Sequence, residues 1–331
     1  MALSLYHAVE QRSTLPLRFS LLAGARQPFG TQWPAPYLAR PMPSPAARSH
    51  LARLVLLAVA AEGLLTLMDA LIKQLSPYYP TFEIAFLRYA LGMAGAIVYA
   101  LWMRPGWPTR DAAAYNGLRA LLIVVTATSF FFALGRLPLA DAIAMSFISP
   151  ALTALLGAML LGERLDWRIV LALAAGFVGM LLIVGGKLGT SDVGEEVLLG
   201  AIAVFVSAIG YSLNLIMLRH RAQRDPLAQI ILFQNLGPAL ILLLPALWVW
   251  KTPTLADLGQ FALLGTIGVV AHTMLAHAFA RIEAARLAPV TYVTLVWGVL
   301  FGFLFFAEVP GPDTIAGAAL IVLGTLVTQR R

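Results

Sequence analysis

The sequence predicts an all-α membrane protein: ten transmembrane helices in two inverted five-helix repeats, with both termini in the cytoplasm. Three observations lead there. The 331-residue chain is 60% hydrophobic and only 12% charged, with a mean hydropathy of +0.82. After about Ser49 nearly all of it falls into ten apolar stretches of the length a bilayer crossing needs, roughly 20 residues each. The basic residues lie asymmetrically at the ends of those stretches, and the second half repeats the hydropathy of the first.

The first span, roughly 52–75, carries Glu62 and Asp69 and closes at Lys73 before Pro77 and Pro80. The second, 82–103, carries Arg88 and stops at Pro105-Gly106-Trp107-Pro108; the third, 112–134, carries Arg119. Pro138 opens the fourth, 139–161, which Pro150 bends, and the fifth, 167–186, ends on Gly185-Gly186. The sixth covers 197–218 with Asn214. Pro226 opens the seventh, 227–250, which holds Pro238 and Pro245, and Pro253 precedes the eighth, 257–280, with His272. The ninth, 286–307, carries Tyr292 and Trp297, and Pro310-Gly311-Pro312 leads into the tenth, 312–328. The connections are short, which predicts that neighbours in sequence pack side by side. Small residues at helical spacing, among them Gly92, Gly176, Gly179, Gly265, Gly302, Gly317 and Gly324, are read as places of close helix approach. Trp102, Trp107, Trp248 and Trp250 lie near span ends as an interfacial belt.

Residues 1–50 differ in kind. They hold Arg12, Arg18, Arg26, Arg40 and Arg48, one acid, Glu10, and seven prolines between Pro16 and Pro45. This composition predicts a disordered basic tail. Arg18 interrupts the apolar stretch Leu15–Ala25, so the segment is a poor signal peptide.

Counting alternate connections assigns Arg104, Arg110, Arg164, Arg168, Arg219, Arg221, Arg224, Arg281, Arg286, Arg330 and Arg331 to one side, and Lys73, Arg136, Lys187 and Lys251 to the other. Basic residues favour the cytoplasmic side, so both termini are expected there, in a plasma membrane that for a bacterium is the inner one. Shifting the chain by 145 residues lays Arg136 on Arg281, Ala140 on Ala285, Gly157 on Gly302 and Glu163 on Glu308. Five spans per half is an odd number, so the halves, 51–188 and 196–331, must be inverted relative to each other. Such halves can rock about a shared midplane site, a transporter architecture.

Charges at mid-membrane depth cost about 2.5–3.5 kcal/mol each and need partners or a wet cavity. Glu62 and Asp69, seven residues apart, share one helix face. Glu62 lies about 15 Å in from its helix end at helical rise, a depth that matches Arg119; Asp69 matches Arg88. Two pairs are therefore expected, Glu62 with Arg119 and Asp69 with Arg88, and Lys73 either reaches outward or competes for Asp69. Such pairs hold either a proton and a charged solute or only the helix register. In the second half Ser207 stands at the place of Glu62 and Asn214 at that of Asp69, one turn from Tyr211. Gln234, Asn235 and His272 add polar groups, His272 as a candidate proton relay. Tyr292 and Trp297, with Phe147, are candidates to stack on a ring or cation. The candidate substrate or coupling residues are thus Glu62, Asp69, Arg88, Arg119, Asn214, His272, Tyr292 and Trp297.

Other classes are weaker. The formal charge of +7 sits at helix ends, which argues against nucleic acid as a partner. There is no cysteine, so thiolate metal sites and disulfides are excluded, and the five histidines form no metal constellation. No cofactor or metal is expected. Nucleotide-binding loops are absent, and no serine or zinc hydrolase motif lies in the spans, so an enzyme is disfavoured. A non-transporting membrane partner subunit and an intramembrane enzyme remain as other-class alternatives.

The stretches LMDALIKQLS (67–76), EIAFLRYALG (83–92), GLRALLIV (117–124) and FFALGRLPLADAIAMSFISPALTALLGAMLLGERLDW (131–167) resemble the ten-helix EamA-type branch of the drug/metabolite transporter superfamily. The pattern is most similar to the subgroup containing S-adenosylmethionine uptake carriers, whose first span often reads Asp-Ala-x-x-Lys. The second half departs from it: Glu308 lacks the preceding Leu-Gly and the following Arg. The resemblance implies secondary or facilitative transport of a small metabolite, amino-acid-like or nucleoside-bearing, or of a toxic analogue; S-adenosylmethionine uptake is the narrower alternative. The expected partners are that solute, the lipid bilayer and, as a candidate coupling ion, the proton. The carrier would act as a monomer or homodimer.

Overall fold

A computed structural model describes residues 45–161, 167–186, 194–221, 225–279 and 292–329. Its helices are α1 (Pro45–Leu75), α2 (Thr81–Met103), α3 (Arg110–Leu134), α4 (Leu139–Ser146), α5 (Ser149–Leu161), α6 (Trp167–Gly185), α7 (Gly194–Arg221), α8 (Leu227–Trp248), α9 (Leu255–Phe279), α10 (Val293–Phe306) and α11 (Pro312–Gln329). No strand occurs among the described residues. Seven spans are long and apolar enough to cross a membrane, and three shorter apolar helices complete ten. Of the expected tail, residues 1–44 lie outside the described residues, and the chain is already helical from Pro45.

Local chemistry sets the ends. Pro80, Pro138 and Pro226 sit at the N-caps of α2, α4 and α8, with extended ψ of 146°, 143° and 138°, where a missing N–H costs nothing. Thr109 caps α3, its hydroxyl accepting from the Ala112 N–H at 3.1 Å. The fourth span is one apolar stretch broken into α4 and α5 at Phe147–Ile148. Pro150 brings no N–H to the Ser146 carbonyl, and the Ser149 hydroxyl donates to it instead at 2.6 Å.

Helix packing does not follow the chain. The tightest neighbours lie in opposite halves: α6 on α11, α2 on α8, α3 on α7 and α1 on α9, whereas α1 and α2 hardly touch. The expectation that sequence neighbours pack together fails because helices already in lipid gain little from further apolar burial; close backbone approach selects partners instead. A Cβ on Gly265 would lie 2.5 Å from the Gly92 nitrogen, and one on Gly179 2.6 Å from the Gly317 carbonyl oxygen.

The contacts also obey the 145-residue register. Exchanging halves turns Gly92 against Gly265 into Gly237 against Ala120, where a Cβ on Gly237 would meet the Ala120 Cβ at 2.4 Å. Gly179 on Gly317 becomes Gly324 on Ala172, and Trp297 on Gly63 becomes Leu152 beside Ala208. At the level of helices, α3 on α7 exchanges with α9 on α1, and α2 on α9 with α8 on α3. Phe147 and its own mate Tyr292 touch each other, with ring centroids 5.3 Å apart, so the pseudo-two-fold axis passes between them. Trp102, Trp107 and Trp248 project outward at helix ends, 75%, 97% and 90% exposed, as an interfacial belt requires.

Candidate functional site

The acids of α1 face the seam between the halves. Glu62 is buried and accepts a hydrogen bond from the Thr294 hydroxyl of α10 at 3.1 Å. One turn along α10, Trp297 lays its indole on Gly63, where a Cβ would come within 3.0 Å of the ring. Its N–H donates to the Val59 carbonyl at 3.3 Å. Gly63 is thus the flat seat that lets an indole stand beside Glu62. Asp69, two turns further along the same face, is half-buried. Among the described residues no cationic nitrogen lies within 4.0 Å of either acid.

Arg88 on α2 stands within electrostatic reach of Asp69 and of His272. The expected Asp69–Arg88 ion pair is not formed. The guanidinium instead lies 4.1 Å over the Tyr89 ring, its Nε donates to the Met68 sulfur at 3.4 Å, and its buried Nη1 has no partner. Gly268 makes the room: a Cβ there would lie 3.1 Å from Arg88 Nη2. His272 Nδ1 is 2.6 Å from the Gly268 carbonyl oxygen. Arg88, Gln234, Asn235 and His272 line one small cavity together with Tyr89, Ile231 and Val269.

Arg119 belongs to a different interface. It is 1% exposed, and three amide side chains each accept from one nitrogen of its fork. Nε donates to Asn214 Oδ1 at 2.8 Å, Nη1 to Asn116 Oδ1 at 2.9 Å and Nη2 to Gln234 Oε1 at 3.3 Å. The Asn116 amide in turn donates to Asp225 at 3.2 Å. The expected Glu62–Arg119 pair is therefore replaced: α3 packs on α7 and α8, and α1 packs on α9 and α10. Equal depth did not mean equal azimuth. Asn214 does join Arg119, whereas Tyr211 turns outward, 47% exposed.

The aromatic candidates divide. Trp297 stacks on Phe301 at 5.6 Å with planes 17° apart, and Tyr292 packs on Phe147. Only Trp297 is placed against the Glu62 seat.

Sequence reasoning missed the partner of Lys73. Its ammonium does not compete for Asp69; it meets Glu308 Oε1 at 2.9 Å and donates to the Leu137 carbonyl. The Asp-Ala-x-x-Lys pattern marked one member, and the equal outer depth of Glu308 was the available signal for the other. At the same end Tyr79 donates to Asp257 at 2.7 Å, and this bond, with burial, holds the Tyr79 phenol above its usual range. Among the described residues no group of three or more His, Asp or Glu is placed to hold a metal.

The EamA-like transporter family model matches residues 52–185 and 198–330. The Pseudopaline exporter CntI of Pseudomonas aeruginosa is 29% identical over 280 residues, covering 83% of this chain and 95% of that relative. The S-adenosylmethionine uptake transporter of Rickettsia bellii is 26% identical over 258 residues, 78% of this chain and 87% of the relative. A solved crystal structure shares the fold, with a TM-score of 0.57 at 22% identity over 85% of this chain and 96% of that one.

Proposed function

The chain belongs to the EamA-like transporter family, and from that premise we propose that it carries a zwitterionic, amino-acid-like solute by alternating access between repeats 51–188 and 196–331. That it is a multi-pass inner-membrane transporter of a small metabolite follows from the family and its relatives. Both termini face the cytoplasm in this proposal, because the arginine-rich connections lie on that side.

The carrying observation is that the Asp69 carboxyl stands within electrostatic reach of Arg88 yet has no cationic nitrogen within 4.0 Å, while the buried Arg88 Nη1 has no hydrogen-bond partner. A buried charge left without a counter-charge is costly. A solute with an ammonium and a carboxylate compensates both: its cation at Asp69 and Glu62, its anion at the buried, unpartnered Nη1 of Arg88. Trp297 supplies an apolar and cation-attracting wall beside Glu62. His272 and Tyr292 border the path, and Arg119 with Asn214 fixes the α3–α7–α8 interface. When the solute leaves, a proton on an α1 acid provides the compensating cation, which couples transport to protons. Ten helices enclose this path in one chain, so a monomer suffices and a homodimer is not required.

The relatives are named for two solutes and for opposite directions, export and uptake. Uptake of S-adenosylmethionine is the second reading, supported by the Rickettsia relatives. Counterflow in proteoliposomes tests the solute class. Labelled zwitterionic amino acids should exchange, and their N-acylated forms, which lack the cation, should not. Equal exchange of both forms would sink the proposal.

A further inference from the structure

Lys73 closes α1, and Glu308 lies in the connection between α10 and α11, so their ion pair ties one half to the other at the end where Pro77–Pro80 and Pro310 lie. Several features aim it. Ala307 adopts a left-handed φ of 54°, a conformation that L side chains rarely take. Its N–H bonds back to Phe303 at 3.0 Å, and the Glu308 N–H bonds to Gly302 at 3.1 Å. This helix-ending turn folds the Glu308 carboxylate inward, and Gly302 leaves space for it: a Cβ there would lie 3.2 Å from Glu308 Oε2. That oxygen accepts from the Leu139 N–H at 2.7 Å. The Lys73 ammonium also bonds the Leu137 carbonyl and lies 5.3 Å from the Phe306 ring centroid. Three segments meet in one charged knot, 15% and 21% exposed at its two side chains.

The inverted repeat makes the knot informative. Exchange of the halves at the 145-residue register puts Leu218 where Lys73 stands. The Lys73 ammonium thus has no counterpart at its own register position. Among the described residues the second ion pair, Arg136 with Glu196 at 2.7 Å, also joins the halves at this same end.

We propose that Lys73 and Glu308 form a one-sided latch, which must open for the path to reach the Pro77–Pro80 end and which biases the empty carrier toward the opposite opening. Neither residue touches the solute; both position the halves. Two conformations of such a carrier differ by only a few kcal/mol, so a partly buried ion pair made in one of them shifts their populations. The proposal rests on the alternating-access reading above, but its test uses no solute, so the two fail separately.

The natural chain has no cysteine, so a single Thr294→Cys reporter beside Glu62 can be labelled by a membrane-impermeant maleimide from either side of oriented vesicles. Lys73→Met and Glu308→Gln should each speed labelling from the Pro77–Pro80 end about tenfold and slow it from the other. Lys73→Arg, which keeps the cation and the donor to the Leu137 carbonyl, should keep much of the original bias. A general loosening of the fold would speed labelling from both ends, which overturns the latch. So would unchanged rates in both single variants, or a Lys73→Arg variant that behaves like Lys73→Met.

Discussion

Gly265→Ala probes the packing rule that builds this molecule. The new Cβ would lie 2.5 Å from the Gly92 nitrogen, 2.9 Å from the Leu91 carbonyl carbon and 3.0 Å from the Gly92 Cα. All three are backbone atoms and cannot rotate aside. Carbon contacts relax near 3.5–4.0 Å, so α9 must withdraw from α2 by roughly 1 Å. Overpacking of this kind costs about 1–3 kcal/mol. The exchange of glycine for alanine within a helix returns about 1 kcal/mol. With backbone contacts this short, the upper part of the range applies, and the net loss is about 1–2 kcal/mol. Gly117→Ala is the control: nothing lies within 4 Å of a Cβ there, so only the helical gain remains. Thermal unfolding of the detergent-purified proteins should show Gly265→Ala melting below the parent and Gly117→Ala at or above it. Coincident melting of the two variants would refute close backbone approach as the selector of helix partners.

Further outcomes follow from local geometry at Arg119, Ala307 and Ser149. Arg119→Met should cost about 1–3 kcal/mol, because it orphans the buried amide oxygen of Asn116 and the partly buried ones of Asn214 and Gln234; a parent-like melting curve would show that the cluster contributes little. Arg119→Lys should recover only part of the loss, since an ammonium has no planar fork. Ala307→Gly should stabilise by about 1 kcal/mol through relief of the left-handed φ of 54°, and a lower melting temperature would contradict that. Ser149→Ala should cost about 1 kcal/mol by exposing the Ser146 carbonyl, and Pro150→Ala placed on top should recover stability as the amide returns. Additive losses in that double variant would argue against the compensation.

How much of this was legible in sequence depended on whether the signal lay along the chain or around the helix. The 145-residue register was legible because Glu163, Gly157 and Arg136 have identical mates, and the contacts of Gly92 and Gly237 follow it. Glu62 and Asp69 were legible as a pair on one face because a spacing of seven is two helical turns. Their partners were not. Depth along a helix is written in the sequence, but azimuth and helix neighbour are not, and glycine contacts between the halves set those. Arg119 therefore appeared to oppose Glu62 when it faces Asn214. Pro150 announced the break in the fourth span, but Ser149 as its remedy depends on a side-chain rotamer. Glu308 read as a degenerate repeat end, because nothing in the one-dimensional pattern reveals that Ala307 turns it back onto Lys73.

Counterflow of a zwitterionic amino acid through Asp69→Asn, in protein that melts with the parent, meets the central claim most directly. Loss of exchange by about 100-fold or more, with partial return in Asp69→Glu, is the predicted result. Exchange by Asp69→Asn at the parental rate would contradict a carrier that holds its solute between the unpaired charges of α1 and α2.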